Sequence, residues 1–206
     1  PAELLFQVAV QNAWGDAIDR WLIQNALRIL KQFAKPSLKF TVNITQNSIV
    51  NPHFLSWLDS ILAKNPNLGT SLVFQISEID MLIAQHHMSY FCQRLDNHDI
   101  HLCINHFGCA DNPFHYLDLF RAEFVKLNGP AGQHSAPENG DSQSLANLVE
   151  RLHESGLRVI VPKVESMLQM PQLWSNNVNY VQGYGLHKPS KSLDYEFSQE
   201  VTLSIH

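Results

Sequence analysis

Apolar residues recur at helical spacing between positions 16 and 34, where Ile18, Trp21, Leu22, Ala26, Ile29, Leu30 and Phe33 predict an amphipathic helix. Asp16 is its expected N-cap and Pro36 its stop. The period then changes. Leu38, Phe40, Val42 and Ile44 alternate with polar residues and predict a strand. Phe54, Trp57, Leu58, Ile61 and Leu62 return to helical spacing, broken by Asn65-Pro66-Asn67 and Gly69. Further strands are predicted at 72–76, 100–104, 124–127, 157–161 and 178–181. Helices are predicted at 79–96, 114–119, 145–153 and 167–174. Residues 129–142 are rich in Gly, Pro, Ser and Asn and are expected to form a mobile loop.

Strands that alternate with helices predict an α/β fold with a parallel sheet. About six strands fit either an open doubly wound sheet or an incomplete (β/α) barrel. No GxGxxG or P-loop follows a predicted strand, which weighs against a nucleotide fold of the doubly wound kind. No composition shift or short repeat divides the chain, so residues 1–206 are expected to form one domain.

Composition narrows the function classes. With a net charge of −5 and a pI near 6.1, the chain has no broad basic surface for a phosphate backbone. Lys31, Lys35 and Lys39 flank one helix end and are expected to be solvated. The cysteines Cys92, Cys103 and Cys109 are odd in number and lack metal-ligand spacing, which fits a reducing cytosol. Cys103 and Cys109 are expected to be small buried side chains. Trp14, Trp21, Trp57 and Trp174 fall at apolar helical positions and are expected in the core. His86, His87, His98 and His101 stand in no motif with carboxylates, so no metal is assigned to them. No apolar run is long enough to span a bilayer. The chain begins at Pro1, inside a helical pattern and without a methionine, and is expected to be part of a longer protein.

Six short segments carry a more specific signal: Val42-Asn43-Ile44-Thr45, Phe74-Gln75-Ile76-Ser77-Glu78, Ile104-Asn105-His106-Phe107-Gly108, Phe124-Val125-Lys126-Leu127-Asn128, Val164-Glu165 and Val181-Gln182-Gly183-Tyr184. Their order and spacing resemble those of EAL domains, the cyclic-di-GMP phosphodiesterase family. The resemblance covers nearly the whole chain. It implies a TIM-like (β/α)8 barrel with the site at the C-terminal ends of the strands. It also implies that the N-terminal strand or strands, with the Glu-Ala-Leu signature, are missing from this chain. The strand pattern independently puts Asn43, Gln75, Asn105, Lys126 and Gln182 at or just past strand ends, where such barrels keep their functional residues.

The chain departs from the family at the positions expected to hold metal. EAL enzymes use two divalent cations, which need ionised carboxylates as ligands. The matching positions here are Gln75, Asn105, His106, Pro162 and Asn128, and Lys163 replaces a glycine. The resemblance therefore implies a catalytically silent regulatory domain with no metal and no cofactor. Asn43, Glu78, Lys126, Glu165 and Gln182 match the family and are expected to persist as a residual pocket. A buried ion pair from Lys126 to Glu78 or Glu165 is expected there. Within the family, the Gln75–Glu78 and Leu82–Met88 stretches resemble the CsrD/MshH regulators. That branch implies a cytoplasmic domain of an inner-membrane protein, with RNase E-dependent turnover of small RNAs and contact with EIIA-glucose. Action by protein contact is the leading reading. A metal-independent cyclic-di-GMP receptor comes second, and an active phosphodiesterase third.

Overall fold

A computed structural model of the protein describes residues 8–33, 38–129 and 145–190. Apart from Gly129, the loop expected at 129–142 lies outside the described residues. Six strands form one sheet: β1 (Phe40–Asn43), β2 (Leu72–Ser77), β3 (His101–Phe107), β4 (Phe124–Leu127), β5 (Arg158–Val161) and β6 (Tyr180–Val181). All five pairings are parallel, and the spatial order follows the sequence from β1 to β6. A doubly wound sheet reverses its strand order at a switch point. This one never does, so the two architectures left open by periodicity reduce to the (β/α) barrel, of which these strands form a parallel arc.

Alternation along the strands sorts side chains into two layers. Val42, Phe74, Ile76, Leu102, Ile104, Val125, Leu127 and Val159 face outward into the main core. There they meet α1 (Gly15–Phe33), α3 (Pro52–Ala63), α5 (Gln85–Asp96) and α6 (Leu145–Glu154). The opposite, concave face carries a small apolar floor of Val73, Cys103 and Phe124, with Ile160 packed against it. Thr41, Asn43, Gln75 and Lys126 share that face.

Local chemistry shifts several predicted elements. Helix α1 starts at Gly15, so Asp16 lies in its first turn and not at the cap. The face buried by α1 is Asp19, Ile23, Ala26, Leu27 and Leu30, and Trp21 stands 62% exposed. Asp19, near the start of the buried stripe, interrupts the apolar pattern, and the observed face is rotated from the predicted one. Asp19 is fastened to the segment after β1. Its Oδ2 accepts from the Thr45 amide at 2.8 Å, the Thr45 hydroxyl at 2.8 Å and the Ser48 hydroxyl at 2.6 Å. Burial outweighs these bonds and pushes the carboxyl up to about 6. Trp14 and Trp174 are also exposed, and only Trp57 packs partly against the core.

Helix α2 (Gln46–Val50) is too short to leave a period in the sequence. The single helix predicted at 79–96 is two helices, α4 (Glu78–Ile83) and α5, separated at Ala84. Ser77 caps α4, with its hydroxyl accepting from the Asp80 amide at 3.1 Å. Between residues 114 and 119 only a 3₁₀ turn forms, Leu117–Leu119. The last predicted helix is a 3₁₀ turn followed by α7 (Met170–Ser175), and a capping box of Ser166 and Gln169 starts the turn.

Candidate functional site

Register brings the motif residues together at one end of the sheet. Asn43 of β1 lies beside Gln75 of β2, and Ser77 beside Asn105 of β3. Lys126 of β4 lies beside Ile160, one residue pair before the strand ends that lead to Pro162 and Gln182. A cleft of about 870 Å³ opens over these ends, within the range of small-molecule sites. Asn43, Asn105, His106, Lys126, Pro162, Glu165 and Gln182 line it. Gln75 lies deeper, in an adjoining hollow of about 480 Å³ along the concave face. Asn128 lines neither space; it is exposed beyond β4, and its amide donates to the Phe107 carbonyl at 3.0 Å.

A hydrogen-bonded chain crosses three strands at the floor of the mouth. The Lys126 ammonium donates to Gln75 Oε1 at 3.0 Å, and Gln75 Nε2 donates to Asn43 Oδ1 at 2.7 Å. Half-burial pulls the Lys126 ammonium below its ordinary range, with a smaller opposing pull from Cys103. The ion pair expected from Lys126 to Glu78 or Glu165 does not form, because the lysine is bonded to the amide of Gln75.

Glu78 has a separate task. It is fully buried at the start of α4. Its Oε2 accepts from the amides of Cys109 and Ala110, each at 2.7 Å, and Oε1 from the Gly108 amide at 3.2 Å. The Tyr116 hydroxyl donates to Oε1 as well. Burial and this carboxylate push the Tyr116 phenol well above its usual range. Glu78 thus ties the turn after β3 to α4. Glu165 sits exposed on the rim of the cleft. Cys109, expected to be buried, is exposed in the turn that Glu78 holds, whereas Cys103 is buried with its thiol pushed up to about 12.

Close backbone approach shapes the far wall. A Cβ on Gly183 would lie 2.0 Å from the Val164 carbonyl oxygen, so no larger residue fits. The Val164 amide donates to the Gln182 carbonyl at 3.0 Å, and the Gly185 amide to the Val164 carbonyl at 2.9 Å. These bonds lock the Gln182-Gly183-Tyr184 turn to the segment carrying Pro162 and Lys163. Tyr184 of the Gln-Gly-Tyr motif lines the cleft, as do His187 and Lys188, which the motifs did not single out. Their signal was present in the sequence as a basic, Pro-containing stretch just after the Gln-Gly-Tyr motif.

Among the described residues, the donors at the mouth are amide oxygens, the His106 and His187 imidazoles and the carboxylate of Glu165, with the Lys126 ammonium among them. A pair of hard dications needs several ionised carboxylates, so this set does not fit two such ions.

A sequential parallel barrel arc with a polar cleft over its strand ends, bearing these motifs in this order, is the EAL architecture. The EAL domain family matches residues 1–189, and the chain belongs to that family. The EAL domain of Pseudomonas aeruginosa FimX, in a crystal structure bound to c-di-GMP, is 34% identical with a TM-score of 0.84. That match covers 96% of this chain and 80% of the FimX chain. The Xanthomonas citri FimX EAL domain in complex with c-di-GMP is 25% identical with a TM-score of 0.81, over 95% of this chain and 78% of that one. The cyclic di-GMP phosphodiesterase PdeF of Escherichia coli K12 is 22% identical over 189 residues, which is 91% of this chain and 25% of PdeF. This chain spans only about half of the E. coli phosphodiesterase PdeL, at 53% of its length. Among the described residues, no helix is long and apolar enough to cross a membrane.

Proposed function

We propose that this domain is a receptor that binds cyclic di-GMP without metal and does not hydrolyse it. One observation carries the reading: in the mouth of the cleft, the Lys126 ammonium is bonded to the neutral amide of Gln75 and not to a carboxylate. A lysine in that position supplies charge to a phosphate directly. Gln75 stands where the family pattern has a glutamate, so no carboxylate there offsets the repulsion between two cations. The amides of Asn43, Asn105 and Gln182 and the exposed Tyr184 ring offer hydrogen-bonding and stacking surfaces for guanine bases. The likeness to the FimX domain bound to c-di-GMP supports the same ligand class.

Isothermal titration with cyclic di-GMP tests this, run once in EDTA and once in Mg²⁺, with product analysis by chromatography. The receptor reading expects binding in EDTA, unchanged affinity in Mg²⁺ and no linear product. Mg²⁺-dependent hydrolysis would replace it with a phosphodiesterase. Absence of binding would return the domain to action through protein contact. The CsrD/MshH resemblance, with its RNase E and EIIA-glucose contacts, has no counterpart in the relatives above or in the cleft geometry.

A further inference from the structure

Two residues on the cleft wall hold a backbone conformation that their side chains disfavour. Among the described residues, the non-glycine positions with positive φ are Ala13, Asn67, Asp99, His106, Asn112, Lys163 and Asn177. Five of the seven stand outside the cleft, four of them Asn or Asp, which tolerate this left-handed region; His enters it more readily than most side chains, and Lys seldom does. Ala13 lies in the turn before α1. The remaining two, His106 at φ 58° and Lys163 at φ 57°, both line the 870 Å³ cleft.

Each is forced by a specific device. The β3–β4 register shifts between Ile104 and Phe107, and such irregularities re-aim a side chain beside a site. His106 sits in that shift. Lys163 lies between Pro162 and Val164, and both backbone groups of Val164 are clamped by the Gln182–Gly185 turn. The segment cannot relax without breaking those bonds. Both side chains are nitrogen-bearing, at positions where the resemblance calls for an aspartate and a glycine. The chain is acidic overall at −5, yet among the described residues the cleft carries Lys126, Lys163 and Lys188 against the carboxylate of Glu165. No ion pair joins Lys163 to a described acidic residue.

We infer that Lys163 and His106 are the groups that hold the ligand's phosphate oxygens, so that fixed protein donors do the charge neutralisation metal ions would otherwise do. This rests on the receptor reading and deepens it. Lys163 supplies a charge and His106 an N–H donor, and the backbone from which each side chain extends is fixed before the ligand arrives, which lowers part of the ordering cost of binding. The ligand class that follows is a doubly charged cyclic dinucleotide, taken up in the absence of divalent cations and with a marked dependence on salt.

The test is titration of cyclic di-GMP in EDTA at two salt concentrations, on the wild-type chain and on Lys163→Gly, Lys163→Arg, His106→Asn and Lys31→Ala. Glycine and asparagine accept positive φ, so Lys163→Gly and His106→Asn keep the fold, and a melting curve verifies it. Lys31 is exposed at the end of α1, outside the cleft, and removes the same charge from elsewhere on the surface. Lys163→Gly and His106→Asn are each expected to weaken binding about tenfold, the size of one charge-assisted hydrogen bond. Lys163→Gly is also expected to flatten the salt dependence, Lys163→Arg to retain both, and Lys31→Ala to change neither. Wild-type affinity and salt dependence in Lys163→Gly and His106→Asn would overturn the assignment and leave the receptor reading standing. Absence of binding by the wild-type chain would overturn the receptor reading, and this inference with it.

Discussion

Replacing Glu78 by glutamine keeps its shape but removes its charge and half of its accepting capacity. The native carboxylate takes three backbone amides, from Gly108, Cys109 and Ala110, and the Tyr116 hydroxyl, in a fully buried position. Oε2 serves the Cys109 and Ala110 amides, and Oε1 serves the Gly108 amide and the Tyr116 hydroxyl. Whichever way the new amide turns, its NH₂ group faces two donors that have lost their acceptor. Each orphaned buried donor costs about 1–3 kcal/mol, and the surviving bonds lose their charge assistance. The variant should therefore lose about 4 kcal/mol of stability. At an m-value of about 2 kcal/mol per molar urea, this lowers the unfolding midpoint by about 2 M. Tyr116→Phe leaves all three amides satisfied and should cost only about 1.5 kcal/mol. Because both act on one network, the double variant should lose less than the two single losses together. Equilibrium urea denaturation followed by tryptophan fluorescence reads all three. A Glu78→Gln variant within about 0.5 kcal/mol of wild type would refute the claim that this carboxylate holds the turn after β3.

Three further outcomes follow from the geometry. Asp19 has a folded-state pKa of about 6, raised from 3.8 chiefly by burial, so its contribution to stability is greatest below pH 4 and is lost as pH rises through 6. The loss is up to about 3 kcal/mol, and the difference in unfolding free energy between wild type and Asp19→Asn should change over that window; a pH-independent difference would contradict it. Gly183→Ala places a methyl against the Val164 backbone, which must move, so a loss of at least about 3 kcal/mol is expected, along with weaker cyclic di-GMP binding; a normal melting temperature would show that the turn gives way cheaply. A colorimetric thiol reagent should modify Cys109 in the native protein at once, and Cys92 and Cys103 only after unfolding, because both are buried and burial pushes their thiols up to about 11 and about 12. Rapid reaction of more than one thiol would contradict the burial.

The alternation of periods was enough to read the class of fold from the chain. Strands of period two between helices of period near 3.6 leave few arrangements, and the strand pattern placed Asn43, Gln75, Asn105, Lys126 and Gln182 at or just past strand ends. Asn43 ends its strand and Gln182 follows one, whereas Lys126 lies one residue and Gln75 and Asn105 two residues before the ends of theirs. Short or irregular pieces left no such mark. Five residues of α2, the break at Ala84 and the 3₁₀ turn at Leu117–Leu119 are set by local backbone hydrogen bonds, not by a repeating pattern. Asp19 misled the reading of α1, because an aspartate in the core is legible only with Thr45 and Ser48, both more than twenty residues away.

Residue identity alone says which groups in this site can carry charge and which cannot. Gln75, Asn105 and Pro162 are neutral in any fold, and Lys163 brings an amine to a position where the resemblance calls for glycine. Which groups meet follows only from the way the strands and helices pack. Lys126 was expected to pair with a glutamate, yet it bonds to Gln75, because parallel register sets β4 one strand removed from β2 on the concave face, while Glu78 turns into the α4 helix start and is consumed by the amides of residues 108–110. Composition fixes the inventory of donors and acceptors. Only through-space geometry, which strand register and helix entry impose together, assigns each its partner.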